Sequence, residues 1–197
     1  SLCYGLDPIS LPVKIGDPYF NGSYYGGSSY AISKTAAELY LSLSGLNFIS
    51  FRLANVYGPK NFSGPIPIFY ANLKNNIKSR VYKTKRDFIF VSDVVNCIIK
   101  SLKTETFDSY FNISTGLDIE ISEIYLLLEK ELGKSNDYDL VNKGGDDTST
   151  ILLDSSETKE VFDWEPRTSL KEGIKKTLLY YSKHGVDNTY THLRLNK

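Results

Sequence analysis

Tyr30 and Lys34 stand four residues apart in SSYAISKTAAELYL, and on a helix that spacing puts both side chains on one face. An ammonium beside a phenol favours the ionised form. A free phenol titrates near about 10, and moving that to about 7 takes roughly 4 kcal/mol. One unit charge about 4–5 Å away, at an effective dielectric of about 20, supplies energy of that order. The pair is therefore a candidate acid/base at neutral pH. Tyr70 and Lys74 in FYANLK repeat the spacing, as chance allows in a chain with 15 tyrosines. Context separates the two. The first pair follows a Gly/Ser/Tyr-rich loop and precedes a strand that ends in an Asn-containing loop; the second is expected on a short helix with a solvated face.

The elements that must position Tyr30 and Lys34 follow from patterning. Residues 1–29 are rich in Gly, Ser, Pro and Tyr without a sustained period and read as a long loop. Ser29 to Leu43 reads as a helix, with Gly45 where it would stop. LNFISFRLANVYG is a buried strand running into a loop at Asn55, Gly58 and Pro59. PIPIFYANLKNNI reads as a helix with Pro near its start, and RVYKT, DFIFV and SYFNI read as strands. Ser92 is placed to cap a helix through VVNCIIKSL, and ISEIYLLLEKEL is an amphipathic helix ended by Gly133. YDLV and ILLD are short strands flanking NKGGDD. Asp154 with Glu157, and Ser169 with Glu172, form candidate capping boxes for the last two helices. This alternation predicts an α/β fold on a mostly parallel sheet.

Composition narrows the function classes. Lys plus Arg is 23 and Asp plus Glu is 23, so the balance does not point to nucleic acid or a membrane surface. Apolar residues are 41% of the chain without a run near the roughly 20 that cross a bilayer, and SLCYGLDPIS lacks a secretory-leader layout. Cys3, Cys97, His184 and His192 are too few for a disulfide framework or a zinc centre. The chain holds no methionine and opens in what reads as a strand-to-loop passage, so it is expected to be part of a longer polypeptide.

SSYAISKTAAELYL resembles the active-site helix of the extended short-chain dehydrogenase/reductases, the NAD-dependent epimerase/dehydratase family of nucleotide-sugar enzymes. Other segments agree in order. SLCYG resembles the family's strand end closing in Tyr-Gly, FRLANVYGP its Arg-x-x-Asn-x-Tyr-Gly-Pro loop, and RDFIFVSDVV its Arg-Asp-Phe block. FNISTG and DWEPRTSLKEGIKKTLLYY resemble its late strand and terminal helix. The resemblance implies a partial Rossmann-type parallel sheet with a small α/β substrate-binding domain. Residues 1–59 and 86–115 would be the remainder of the NAD(P)-binding domain, and 60–85 with 116–197 the nucleotide-sugar domain. It implies Tyr30 as catalytic acid/base and Lys34 as the residue that assists it and holds the nicotinamide ribose. Asn55 and Arg86 would bind the nucleotide diphosphate. A diphosphate suits a fork of charged donors, and the chain has five arginines. Tyr82 is either a stacking platform for the nucleobase or a core aromatic. Lys143 stands where an arginine often helps bind phosphate or ribose, and Asp146 either holds the ribose or its own turn. Asp87 and Asp93 read as backbone anchors.

Departures from the family pattern help to choose the reaction. None of the 14 glycines forms the Gly-x-Gly-x-x-Gly loop that cradles the cofactor pyrophosphate. The family's catalytic Ser or Thr would fall immediately ahead of Ser1, and Leu53 stands where a tyrosine often faces the nicotinamide. Family dehydratases carry an Asp-Glu pair where this chain has Ser1 and Leu2, so epimerisation or ketoreduction is expected instead. The resemblance thus implies an NAD-dependent epimerase acting at C4 of a UDP-sugar through a transient 4-keto intermediate, cytoplasmic and homodimeric, without metal. The alternatives are a 4-ketosugar reductase and a non-catalytic sugar-nucleotide-binding lobe or fragment.

Overall fold

The computed structural model of the protein describes residues 4, 8–18, 29–107, 109–142, 150–186 and 189. Helix α1 spans Ser29–Leu43, followed by strands β1 (Ile49–Leu53) and β2 (Asn55–Tyr57). Helix α2 (Pro65–Lys74) leads to β3 (Ser79–Tyr82), β4 (Lys85–Arg86) and β5 (Phe88–Phe90). Helix α3 (Val91–Ser101), β6 (Ser109–Ile113), β7 (Ile119–Glu120) and α4 (Ile121–Leu132) come next. The remainder is β8 (Tyr138–Val141), β9 (Thr150–Ile151), α5 (Ser156–Phe162) and α6 (Leu170–His184). The α/β fold expected from the alternation of patterns is what forms.

Pairing is mainly parallel. β1 runs beside β6 with Phe51 opposite Phe111, and β2 beside β5 with Asn55 opposite Phe88. The chain changes partner at Ala54, whose N–H still donates to the Ile113 carbonyl at 2.9 Å before Asn55 turns to the Asp87 carbonyl. β3 pairs in parallel with β8, while β4 lies between β9, parallel, and β7, antiparallel.

Alternation along β5 makes it a wall between two apolar clusters. Phe88 and Phe90 point into one, with Tyr70, Tyr125, Ile174 and Tyr181. Ile89 points into the other, with Cys97, Phe111, Phe162 and Trp164. The Trp164 indole N–H donates to the Asp93 carbonyl at 3.0 Å, so the wide ring is buried with its one donor satisfied. Among the described residues no helix is long and apolar enough to cross a membrane.

Helix termini refine the sequence reading. Gly133 ends α4 in the left-handed region (φ 61°), and Ser169 Oγ accepts from the Glu172 N–H at 3.3 Å at the start of α6, both as expected. Ser92 does not cap α3: the helix starts at Val91, with extended Phe90 at its N-cap. Ser155 is the N-cap of α5, and the carboxylate of Asp154, one residue earlier, accepts from the Ser156 N–H at 2.9 Å. At α4 a reciprocal box forms between Glu120 and Glu123, which Ser/Thr-based capping patterns do not reveal.

Candidate active site

Helix α1 sets Tyr30 and Lys34 on one face, and the Lys34 ammonium lies 5.3 Å from the centre of the Tyr30 ring. Tyr30 is 44% exposed, so its ring is open to a ligand while the cation stays against it. Tyr70 and Lys74 have a similar local geometry, 5.8 Å, but the opposite environment. Tyr70 is 4% exposed and packs on Tyr181 with ring centres 5.2 Å apart. The solvated face expected for that second pair is therefore wrong. Tyr70 shares a helical stripe with Ile66 and Leu73, and that stripe is the one buried against α6 and α4.

α1 sits on the β1 surface through a charged contact that patterning did not single out. Glu38, one turn beyond Lys34, accepts from Arg52 Nη2 at 2.8 Å and Nε at 3.1 Å, and from Ser50 Oγ at 2.9 Å. Arg52 Nη1 donates to the Tyr4 hydroxyl at 2.7 Å, and that hydroxyl donates to Asn112 Oδ1 at 3.0 Å. Asn112 Nδ2 completes the chain on the Val13 carbonyl at 3.0 Å. The available signal was a single charge, Arg52, inside the apolar run NFISFRLANV.

Asn55 begins β2, where its side-chain amide and its backbone N–H both donate to the Asp87 carbonyl, at 3.0 and 2.9 Å. Arg86 is the preceding residue on that strand passage; it is buried, and its Nη1 donates to the Lys85 carbonyl at 2.6 Å. The fold thus brings Asn55 onto the Arg86–Asp87 backbone. The Asp87 carboxylate accepts from Thr115 N–H (3.0 Å), Thr115 Oγ1 (2.6 Å) and Gly116 N–H (2.7 Å). Burial pushes this carboxyl above the ordinary carboxylate range, against the lowering pull of those three donors. Asp93 accepts from the Thr168 N–H at 3.0 Å. Both aspartates anchor backbone, as their positions suggested.

Tyr82 is half-buried on β3 beside Val141 of β8. Leu53, on the β1 face opposite Arg52, packs against the Phe111–Trp164 cluster. Tyr57 donates to the Leu170 carbonyl at 3.3 Å, and burial, with the nearby Asp93 and Glu172 charges, raises its phenol so that it stays a donor. Lys143 and Asp146 lie outside the described residues.

Comparison with known proteins places this geometry. The model of the NAD dependent epimerase/dehydratase family matches residues 3–114, and the chain belongs to that family. A putative UDP-glucose 4-epimerase of Methanocaldococcus jannaschii is 31% identical over 184 residues, 89% of this chain and 58% of the relative. A dTDP-4-dehydro-6-deoxyglucose reductase of Escherichia coli is 30% identical over 76% of this chain and 51% of its own length. Among solved structures, the Bordetella bronchiseptica enzyme WbmG in complex with NAD and UDP is 36% identical, with a TM-score of 0.86 over 99% of this chain and 62% of that one. The chain thus spans a little over half the length of the curated relatives it matches. NAD is the cofactor of the family. The helix face bearing Tyr30 and Lys34 carries a phenol and, over its ring, an ammonium, groups whose donors fit a ribose diol.

Proposed function

We propose that the chain carries the acid/base half of an NAD-dependent nucleotide-sugar 4-epimerase, with a UDP-sugar as substrate. The observation that carries this reading is the Lys34 ammonium held over the open ring of Tyr30 on one face of α1. Bound NAD would supply the hydride acceptor and donor. In this reading Tyr30 Oη takes the proton of the sugar 4-hydroxyl and gives it back after the ring has turned. Lys34 favours the negative charge that passes through that oxygen and holds the nicotinamide ribose. Asn55 and Arg86 bind the diphosphate, with Tyr82 against the base and Lys143 and Asp146 toward the ribose or phosphate. UDP fits with the UDP bound by WbmG and with the UDP-glucose named for the archaeal relative.

The domain division is part of the same proposal. It assigns 1–59 and 86–115 to the cofactor domain and 60–85 with 116–197 to the sugar-nucleotide domain; the clustering of Tyr70, Tyr125 and Ile174 is in keeping with this, while Phe162 and Trp164 pack with Phe111 across the proposed boundary. A second copy is the proposed partner in the cytoplasm. The exposed Ile32, Leu39, Tyr40 and Leu43 of α1 suit such a contact.

Incubating the full-length protein as encoded with NAD and UDP-glucose, UDP-N-acetylglucosamine or UDP-glucuronate should convert one of them to its 4-epimer. Tyr30→Phe should lower that turnover at least 100-fold while leaving the fold intact. A Tyr30→Phe protein with undiminished turnover sinks the reading. The E. coli relative favours one second reading, a 4-ketosugar reductase. That activity would consume one reduced nicotinamide per product, whereas epimerisation leaves the nicotinamide balance unchanged.

A further inference from the structure

We propose that Arg52 and Glu38 are a positioning pair that holds Tyr30 and Lys34 in working alignment, a role that rests on the reading of Tyr30 as acid/base. Tyr30, Lys34 and Glu38 succeed one another at intervals of four along α1, so Lys34 has the phenol a turn to one side and a carboxylate a turn to the other. The Lys34 ammonium lies over Tyr30, while both oxygens of Glu38 are taken by the Arg52 fork and Ser50 Oγ. Arg52 therefore occupies the carboxylate that would otherwise compete with the phenol for Lys34.

The same guanidinium fixes where α1 sits. The inward residues of α1 are Ala31, Thr35 and Glu38, two small side chains and one charge, whereas Ile32, Leu39 and Leu43 are exposed. Apolar burial on that stripe is thin, so the bidentate ion pair supplies the directional contact. The guanidinium carbon lies 4.9 Å from the Tyr4 ring centre and 5.1 Å from that of Tyr110, between two aromatic faces that restrain its plane. Through Nη1 it also holds the Tyr4 hydroxyl, and through Tyr4 it reaches Asn112 of β6. One side chain thus ties the segment at Tyr4, helix α1 and the β1–β6 pair into a single register. Buried ion pairs add little to stability relative to apolar packing, and their best-attested use is to specify one arrangement over others.

The test uses the full-length protein as encoded, with NAD and the UDP-sugar that the wild type epimerises among the three named above. Arg52→Met is expected to lower kcat about 30-fold while KM for the UDP-sugar changes less than threefold. Glu38→Gln added to Arg52→Met removes the competing charge and is expected to restore kcat at least fivefold with KM unchanged, measured at saturating substrate and at a temperature where both variants are fully folded, so that relief of the stranded buried charge, which acts on the thermal midpoint, does not account for it. A folded Arg52→Met protein with kcat within threefold of wild type overturns the proposal, and so does a double variant no faster than the single one. If Arg52→Met does not fold, Arg52→Lys, which keeps the charge without the fork, takes its place: a tenfold loss of kcat supports the pair, and an unchanged kcat overturns it. Tyr30→Phe run alongside keeps the two ideas apart. Full turnover without the phenol removes the acid/base reading itself, while an inactive Tyr30→Phe beside a fully active Arg52→Met removes only the positioning role.

Discussion

A Cβ added to Gly173 would lie 2.1 Å from the hydroxyl oxygen and 2.8 Å from Cζ of Tyr57. Gly173 is buried in α6, and Tyr57 ends β2, three residues after the chain has crossed from β6 to β5. The missing side chain lets α6 seat directly on the strand that carries Asn55. Tyr57 then donates to Leu170 at the head of that helix and packs its edge on Phe90, ring centres 5.5 Å apart.

Gly173→Ala should therefore destabilise the protein by about 1–3 kcal/mol, the usual range for forcing extra volume into a packed site. Urea unfolding of the variant measures this. Tyr57→Phe in the same background removes the nearer of the two clashing atoms and should recover part of the loss. If Gly173→Ala unfolds at the wild-type midpoint, α6 is not seated as described.

Cys97 faces the Phe111–Trp164 cluster, and burial pushes its thiol up to about 12 from an ordinary 9.0. The native thiol should resist a thiol-specific disulfide reagent at pH 8 and react only on unfolding, measured on the 197-residue chain in a Cys3→Ser background, where it is the one thiol left in that chain. Its acidity also carries a stability consequence. Between pH 9.0 and about 12 the unfolded chain has lost a proton that the folded chain keeps, so stability falls as pH rises, by about 1.4 kcal/mol per unit. Cys97→Ala lacks that contribution, and its stability difference from wild type should shift by close to this slope between pH 10 and 11, where the unfolded thiol is already mostly ionised.

Asp87 accepts three hydrogen bonds from the Thr115–Gly116 turn, and the adjoining backbone receives Asn55. Asp87→Asn replaces an acceptor oxygen with an N–H group that faces backbone donors. It should cost about 1–3 kcal/mol of stability. Because Arg86 is the neighbouring residue, titration calorimetry should also show weaker UDP binding. Unchanged stability and unchanged UDP affinity would separate Asp87 from both roles.

Arg86→Lys tests the proposed diphosphate site more directly. Lysine keeps the charge but loses the planar fork, so UDP affinity should fall about tenfold, with little change in thermal midpoint relative to Asp87→Asn. Binding of UDP as tight as wild type would remove Arg86 from the diphosphate site.

The parts legible in the sequence are those fixed by neighbours in the chain. The spacing of Tyr30 and Lys34, the span of α1, the glycine that ends α4 and the Ser169 cap are local, because helical geometry and backbone sterics act over a few residues. Strand and helix alternation carried the fold class for the same reason. Tyr70 shows where locality stops. Its spacing to Lys74 matches the Tyr30 pair, yet its ring is buried because Tyr181, far along the chain, comes to lie against it. Glu38, Arg52, Tyr4 and Asn112 are likewise separated by up to 108 residues and meet only when β1 and β6 pair beneath α1. Local spacing is enough to say which helix face bears the phenol and the amine. Which such face is exposed and which cation holds the helix in place emerge on folding, since burial and long-range charge pairing depend on packing that no local pattern records.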